Sequence, residues 1–89
     1  MPRYIGTFRY EKPTFGFLMV LKDGKAPPNL SKEGGVFLSA SVAVRTLGKQ
    51  RSLLRNMDGD TFSFFVRQSE YHPNKLEAWD VKPVPQQSI

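Results

Sequence analysis

The 89-residue chain carries thirteen Lys and Arg against eight Asp and Glu, a net charge of +5, with 39% hydrophobic and 12% aromatic residues. That suffices for one small core, and the lack of cysteine excludes a disulfide framework, a thiolate metal site and a cysteine nucleophile. No apolar run approaches the roughly 18–20 residues of a membrane-spanning helix and no signal-peptide pattern opens the chain. One small domain, or one module of something larger, is expected, and the cysteine-free composition fits a reducing compartment, the cytoplasm ahead of the nucleus.

The distribution of charge says more than its sum. Residues 1–25 set Arg3, Arg9, Lys12, Lys22 and Lys25 against Glu11 and Asp23, and residues 26–57 set Lys32, Arg45, Lys49, Arg51 and Arg55 against Glu33 alone. The last third is acidic, with Asp58, Asp60, Glu70, Glu77 and Asp80 against Arg67, Lys75 and Lys82. A basic front on a small domain suits a polyanionic partner.

Tyr4 to Tyr10 reads as a first strand, and Glu11-Lys12-Pro13-Thr14 as a tight connection, since Pro13 cannot donate to a ladder. Phe15 to Leu21 is the second strand. Its alternation puts Phe15, Phe17 and Met19 on one face and Leu18 and Val20 on the other, the buried one. Lys22 to Gly35 is a long loop stiffened by Pro27-Pro28. Val36 to Ser39 is a short third strand, with Val36 and Leu38 opposite Phe37 and Ser39. Ala40 to Met57 reads as a long basic loop with a short helical turn, because Gly48 interrupts its apolar spacing. After the Asp58-Gly59-Asp60 turn, Phe62, Phe64 and Val66 alternate along a strong strand from Thr61 to Arg67, with Phe65 out of phase. Leu76 to Val84 is the last strand, Trp79 is expected in the core, and 86–89 form a disordered tail after a domain spanning 1–85. Five short strands point to an all-β barrel or sandwich.

In order, these pieces resemble a cold-shock domain. Gly6-Thr7-Phe8-Arg9-Tyr10 is similar to that family's opening strand G-x-V-K-W-F, with Tyr10 in place of the tryptophan. Pro13-Thr14-Phe15-Gly16-Phe17-Leu18 keeps the F-G-F and the aliphatic residue of the first ribonucleoprotein motif, K-G-F-G-F-I, and lacks its lysine and first glycine. Val36-Phe37-Leu38-Ser39-Ala40 resembles the second motif, V-F-V-H-F, without its histidine and final aromatic. Gly59 to Phe64 and Leu76 to Val81 resemble the fourth and fifth strands. The resemblance implies a five-stranded antiparallel OB-fold barrel of cold-shock type with long loops. It also implies a monomer binding single-stranded RNA or DNA, RNA ahead of DNA.

The stacking candidates are Tyr10, Phe15, Phe17 and Phe37, because every base offers a π-face to an exposed ring. Buried core phenylalanines are the competing reading. Arg9, Lys12 and Lys22 are phosphate candidates near the rings, and Arg45, Lys49, Arg51 and Arg55 would extend the groove; ordinary solvated charge competes with both. No cofactor is called for. His72, the sole histidine, sits beside Pro73 in a loop, Gly48-Lys49-Gln50 lacks a phosphate cradle, and Asp58 with Asp60 belongs to a turn, so no enzyme is expected. Because Ser39 and Ala40 bear no ring, a second function stands beside the first: a degenerate cold-shock module within a larger RNA-related protein, contacting a protein partner or serving as a scaffold through its apolar patch. A ribosomal-type OB repeat predicts much the same chemistry as the first.

Overall fold

The computed structural model describes residues 2–21, 26–27, 30, 34–48, 54–69 and 75–84. Its elements are β1 (Tyr4–Lys12), β2 (Phe15–Val20), β3 (Gly35–Ser39), α1 (Ala40–Leu47), α2 (Leu54–Met57), β4 (Thr61–Gln68) and β5 (Leu76–Pro83). The strands form a closed barrel in the order β1-β2-β3-β5-β4, with β4 returning to β1. This is the all-β, OB-like barrel expected. Its pairings are antiparallel except where β3 meets β5 in parallel at Phe37 and Glu77.

Alternation fills the interior. Phe8 on β1, Leu18 on β2, Val36 and Leu38 on β3, Phe64 on β4, and Ala78 and Val81 on β5 are all 1% exposed or less. The tightest passage in this core lies between β1 and β2. A Cβ built on Gly16 would sit 2.2 Å from Cζ of Phe8 and 2.7 Å from the Arg9 carbonyl oxygen, so the Phe8 ring occupies the space a side chain would need. The glycine between Phe15 and Phe17 is thus a packing requirement of the core beneath them. Phe8 is also fixed along its backbone: its N–H donates to the Asp60 carbonyl at 2.8 Å, and its carbonyl accepts from Gly59 N–H at 2.9 Å.

The stretch from Ala40 corrects the expectation of a long loop. Eight residues form α1, although Val42, Val44 and Thr46 are β-branched and stiff in a helix. Two local devices and one packing face offset that preference. Ser39 Oγ accepts from Val42 N–H at 3.2 Å as N-cap, and Gly48 ends the helix at φ 82°, a left-handed conformation that suits glycine. Val42 and Ala43 are buried in the barrel core, joined from α2 by Leu54 and Met57. β1 also runs two residues further than expected, through Glu11 and Lys12, leaving Pro13-Thr14 as the turn.

β5 departs from simple alternation. Ser63 pairs with Lys82 and Phe65 with Trp79, so β5 carries one more residue than β4 over this interval, and Ala78 and Val81 both face inward. Asp80 absorbs the irregularity at φ 50°. Arg3 ties it down: Nη1 donates to Asp80 Oδ2 at 2.8 Å, and Nη2 donates to the Asp80 carbonyl at 2.7 Å and the Ser63 carbonyl at 2.9 Å. The strand ends at Pro83, one residue before the expected Val84.

Two outcomes follow for stability. Gly16→Ala is expected to lower the unfolding free energy by about 3 kcal/mol, the upper end for overpacking, because backbone as well as ring blocks the new methyl. Arg3→Ala should cost about 1–2 kcal/mol, since the lost bonds are charge-assisted but partly exposed. Denaturant midpoints at unchanged m-value would check both.

Candidate nucleic-acid interface

The strand register lines up one continuous row across the outside of the barrel. Arg9 on β1 pairs with Phe17 on β2, Phe17 with Phe37 on β3, Phe37 with Glu77 on β5, and Glu77 with Arg67 on β4. Each of these residues neighbours an inward one, so alternation turns the row outward. The order along it is cation, ring, ring, carboxylate, cation. At roughly 4.8 Å between strands, the row runs about 19 Å over the curved surface.

Phe15, two residues before Phe17 and so on the same face of β2, completes a ring cluster. Phe15 and Phe37 lie 5.4 Å apart between centroids at 31°, while Phe17 stands near-perpendicular to both, at 5.8 Å and 86° from Phe15 and 6.2 Å and 73° from Phe37. All three rings are half-buried, whereas Leu18 and Leu38 beside them in sequence are fully buried. The rings therefore belong to the surface and the aliphatics to the core. A cavity of about 380 Å³ opens beside them, lined by Phe15, Phe17, Phe37, Ser69 and Lys75. The strand 2–3 face and the neighbouring β4–β5 connection are where OB barrels take up oligonucleotides and oligosaccharides.

Cations border the rings. The Arg9 guanidinium lies 5.5 Å from the Phe17 centroid and Lys12 Nζ 6.0 Å from that of Phe15. Such contacts hold positive charge over a π-face while leaving it accessible to an anion. On the far side, Arg67 Nε donates to Glu77 Oε1 at 2.6 Å, and its guanidinium carbon lies 5.8 Å from the Trp79 ring. Trp79 in turn packs against Phe65 at 5.4 Å, and Arg3 lies 4.5 Å over Phe65. Trp79, expected in the core, is half-buried and packs against its edge, and its indole Nε1 is buried with no hydrogen-bond partner among the described residues. Phe65, out of phase in the sequence, is accounted for by this cross-strand pair.

Of the sequence candidates, Phe15, Phe17, Phe37, Arg9 and Lys12 come together. Tyr10 does not join them: it follows Arg9 onto the opposite face of β1 and packs half-buried against the core. Arg45 on α1 and Arg55 on α2 are exposed, and neither lines the cavity. Lys22, Lys49, Arg51 and His72 lie outside the described residues, as does the 86–89 tail. Ser39 and Ala40, which bear no ring, serve the helix instead. Ser39 caps α1 and Ala40 begins it, its N–H donating to the Thr14 carbonyl at 2.8 Å. Lys75, Glu77 and Arg67 were not anticipated in the site. The position of Lys75 at the end of the last connection was the signal for it; Glu77 and Arg67 required the β3–β5 register.

Among the described residues no three His, Asp or Glu side chains gather as a metal site, and no helix is long and apolar enough to cross a membrane. No family model, no curated protein and no solved structure matches this chain.

If the rings are surface and not core, their removal should be mild. Phe17→Ala and Phe37→Ala are each expected to cost less than half of what Leu38→Ala costs, itself about 2–5 kcal/mol. Urea unfolding of the three variants makes the comparison.

Proposed function

We propose that this domain binds single-stranded nucleic acid, RNA ahead of DNA, by stacking bases on Phe15, Phe17 and Phe37 while Arg9, Lys12, Lys75 and Arg67 meet the phosphates. One observation carries the reading: three half-exposed rings stand together on the β2–β3 face of an OB-like barrel, with cations on both flanks of the row that holds Phe17 and Phe37. Stacking supplies sequence-tolerant affinity, because each base has a face to offer, and the cations follow the backbone by counterion release. Arg9, 5.5 Å from the Phe17 centroid, stands where it can meet the phosphate of a base stacked on that ring. In this reading the domain is a divergent relative of cold-shock domains, works as a monomer in the cytoplasm or nucleus, and has no catalytic step of its own. The F-G-F strand and the order of the strands support that kinship.

The two ring positions lost at Ser39 and Ala40 narrow the platform. With Ser39 occupied as a helix cap and Tyr10 turned inward, three rings remain, so short oligonucleotides should saturate the site. Bulk affinity then leans on charge. With three or four phosphate contacts, log K should fall against log salt with a slope of about −2 to −3.

Fluorescence anisotropy with labelled RNA and DNA octamers at two salt concentrations tests this function. Wild type should bind both, RNA more tightly, and Phe15→Ala with Phe17→Ala together should weaken binding at least about 25-fold, taking roughly 1 kcal/mol or more per stack. A folded double variant that binds as wild type does would overturn the platform. Absence of binding at either salt would favour the protein-contact function instead.

A further inference from the structure

The row that carries the rings also carries a carboxylate, which a purely backbone-tracking surface would avoid. Glu77 is the β5 neighbour of Phe37, and only 9% of it is exposed. Its Oε1 is held by Arg67 Nε at 2.6 Å, while no described residue makes a hydrogen bond to Oε2. The Glu77 side chain keeps 11% of its surface exposed. The ion pair is therefore half-used. Arg67 fixes the carboxylate and offsets its charge, so a passing phosphate strand is not repelled, and on the strand beside Phe37 one acceptor oxygen has no partner among the described residues.

We infer that Glu77 reads the edge of the base stacked on Phe37, selecting bases with donor N–H groups, guanine foremost, and disfavouring uracil and thymine. The inference rests on the platform function above. A base is wider than the phenyl ring under it, and side chains on adjacent strands stand about 5 Å apart, so the edge of a base on Phe37 reaches the Glu77 head group. An ionised carboxylate only accepts hydrogen bonds. Guanine presents N1–H and the N2 amine side by side on its pairing edge, two donors converging on the carboxylate. Cytosine and adenine offer one amine beside an acceptor nitrogen. Uracil offers N3–H between two carbonyl oxygens, both of which face the carboxylate with like partial charge. The preference order is guanine, then cytosine and adenine, then uracil. Arg67 acts through Glu77 as a positioning residue, since its Nε holds the carboxylate in place.

The test uses RNA octamers: all-uridine, the same with one central guanosine, and the same with one central N1-methylguanosine, which cannot donate from N1. Wild type should bind the guanosine octamer about tenfold more tightly than octauridine, the scale of one good bidentate base contact. The methylated octamer should fall back towards octauridine. Glu77→Gln, whose amide both donates and accepts and still offers an oxygen to Arg67, should reduce the guanosine preference over octauridine to about twofold or less. Equal binding of the guanosine and uridine octamers, full affinity for the methylated octamer, or a guanosine preference that survives Glu77→Gln would each overturn the inference and leave the platform standing. Failure of every octamer to bind would remove both. The methylated octamer decides the matter on the wild-type protein should Glu77→Gln not fold.

Discussion

Everything outward on this barrel depends on what is packed inward at one point, the contact of the Phe8 ring with the bare backbone of Gly16. With no Cβ at Gly16, β1 and β2 can pair while a full phenyl ring lies between the strand and the core. The register is thereby pinned, because a slip of one residue would drive Phe15 or Phe17 into the space Phe8 fills and turn Leu18 to solvent. The same backbone segment of β1 is bonded to the turn that opens β4, so this contact also helps to close the barrel. The F-G-F sequence therefore has two separable components: the glycine serves the core, and the two rings serve the surface.

From that pinned register the row across the barrel follows. Arg9, Phe17, Phe37, Glu77 and Arg67 share it through four successive pairings, and none of them is a neighbour of another in sequence. Its chemistry is graded. The two ends are exposed guanidiniums suited to phosphate, the centre is aromatic, and the one buried carboxylate is held by a guanidinium at 2.6 Å. A second aromatic pair, Phe65 with Trp79, lies beside the same Arg67 and is clamped by Arg3, which also steadies the bulge at Asp80. Arg67 thus joins this second aromatic cluster to the row of rings and charges.

Much of this was legible in the residues. Alternation alone separated Phe15 and Phe17 from Leu18, and Phe37 from Val36 and Leu38, because each strand has one face that must be buried. What stayed hidden was set by contacts distant in sequence. Glu77 becomes part of the site only through the parallel pairing of β5 with β3, and the Asp80 bulge removes the simple alternation that would place Trp79. Helix α1 was hidden because its β-branched residues and Gly48 argue against a helix, while what favours it, Ser39 as cap and Val42 and Ala43 against the core, lies in capping and tertiary packing. In the sequence Ser39 shows only as a missing ring. Tyr10 was placed beside the rings because it flanks them in sequence and matches the tryptophan of the resembled family, yet the alternation of β1 gives that place to Arg9.

The central claim is that nucleic acid lies across the strands along this row. Titrating isotope-labelled protein with an unlabelled single-stranded RNA octamer, and following backbone amide shifts by NMR, addresses it most directly. Perturbations should concentrate at Arg9, Phe15, Phe17, Phe37, Arg67, Lys75 and Glu77, with Arg45 on α1 and Arg55 on α2 little changed. Shifts centred on α1 and α2, with the ring-bearing strands silent, would contradict the account.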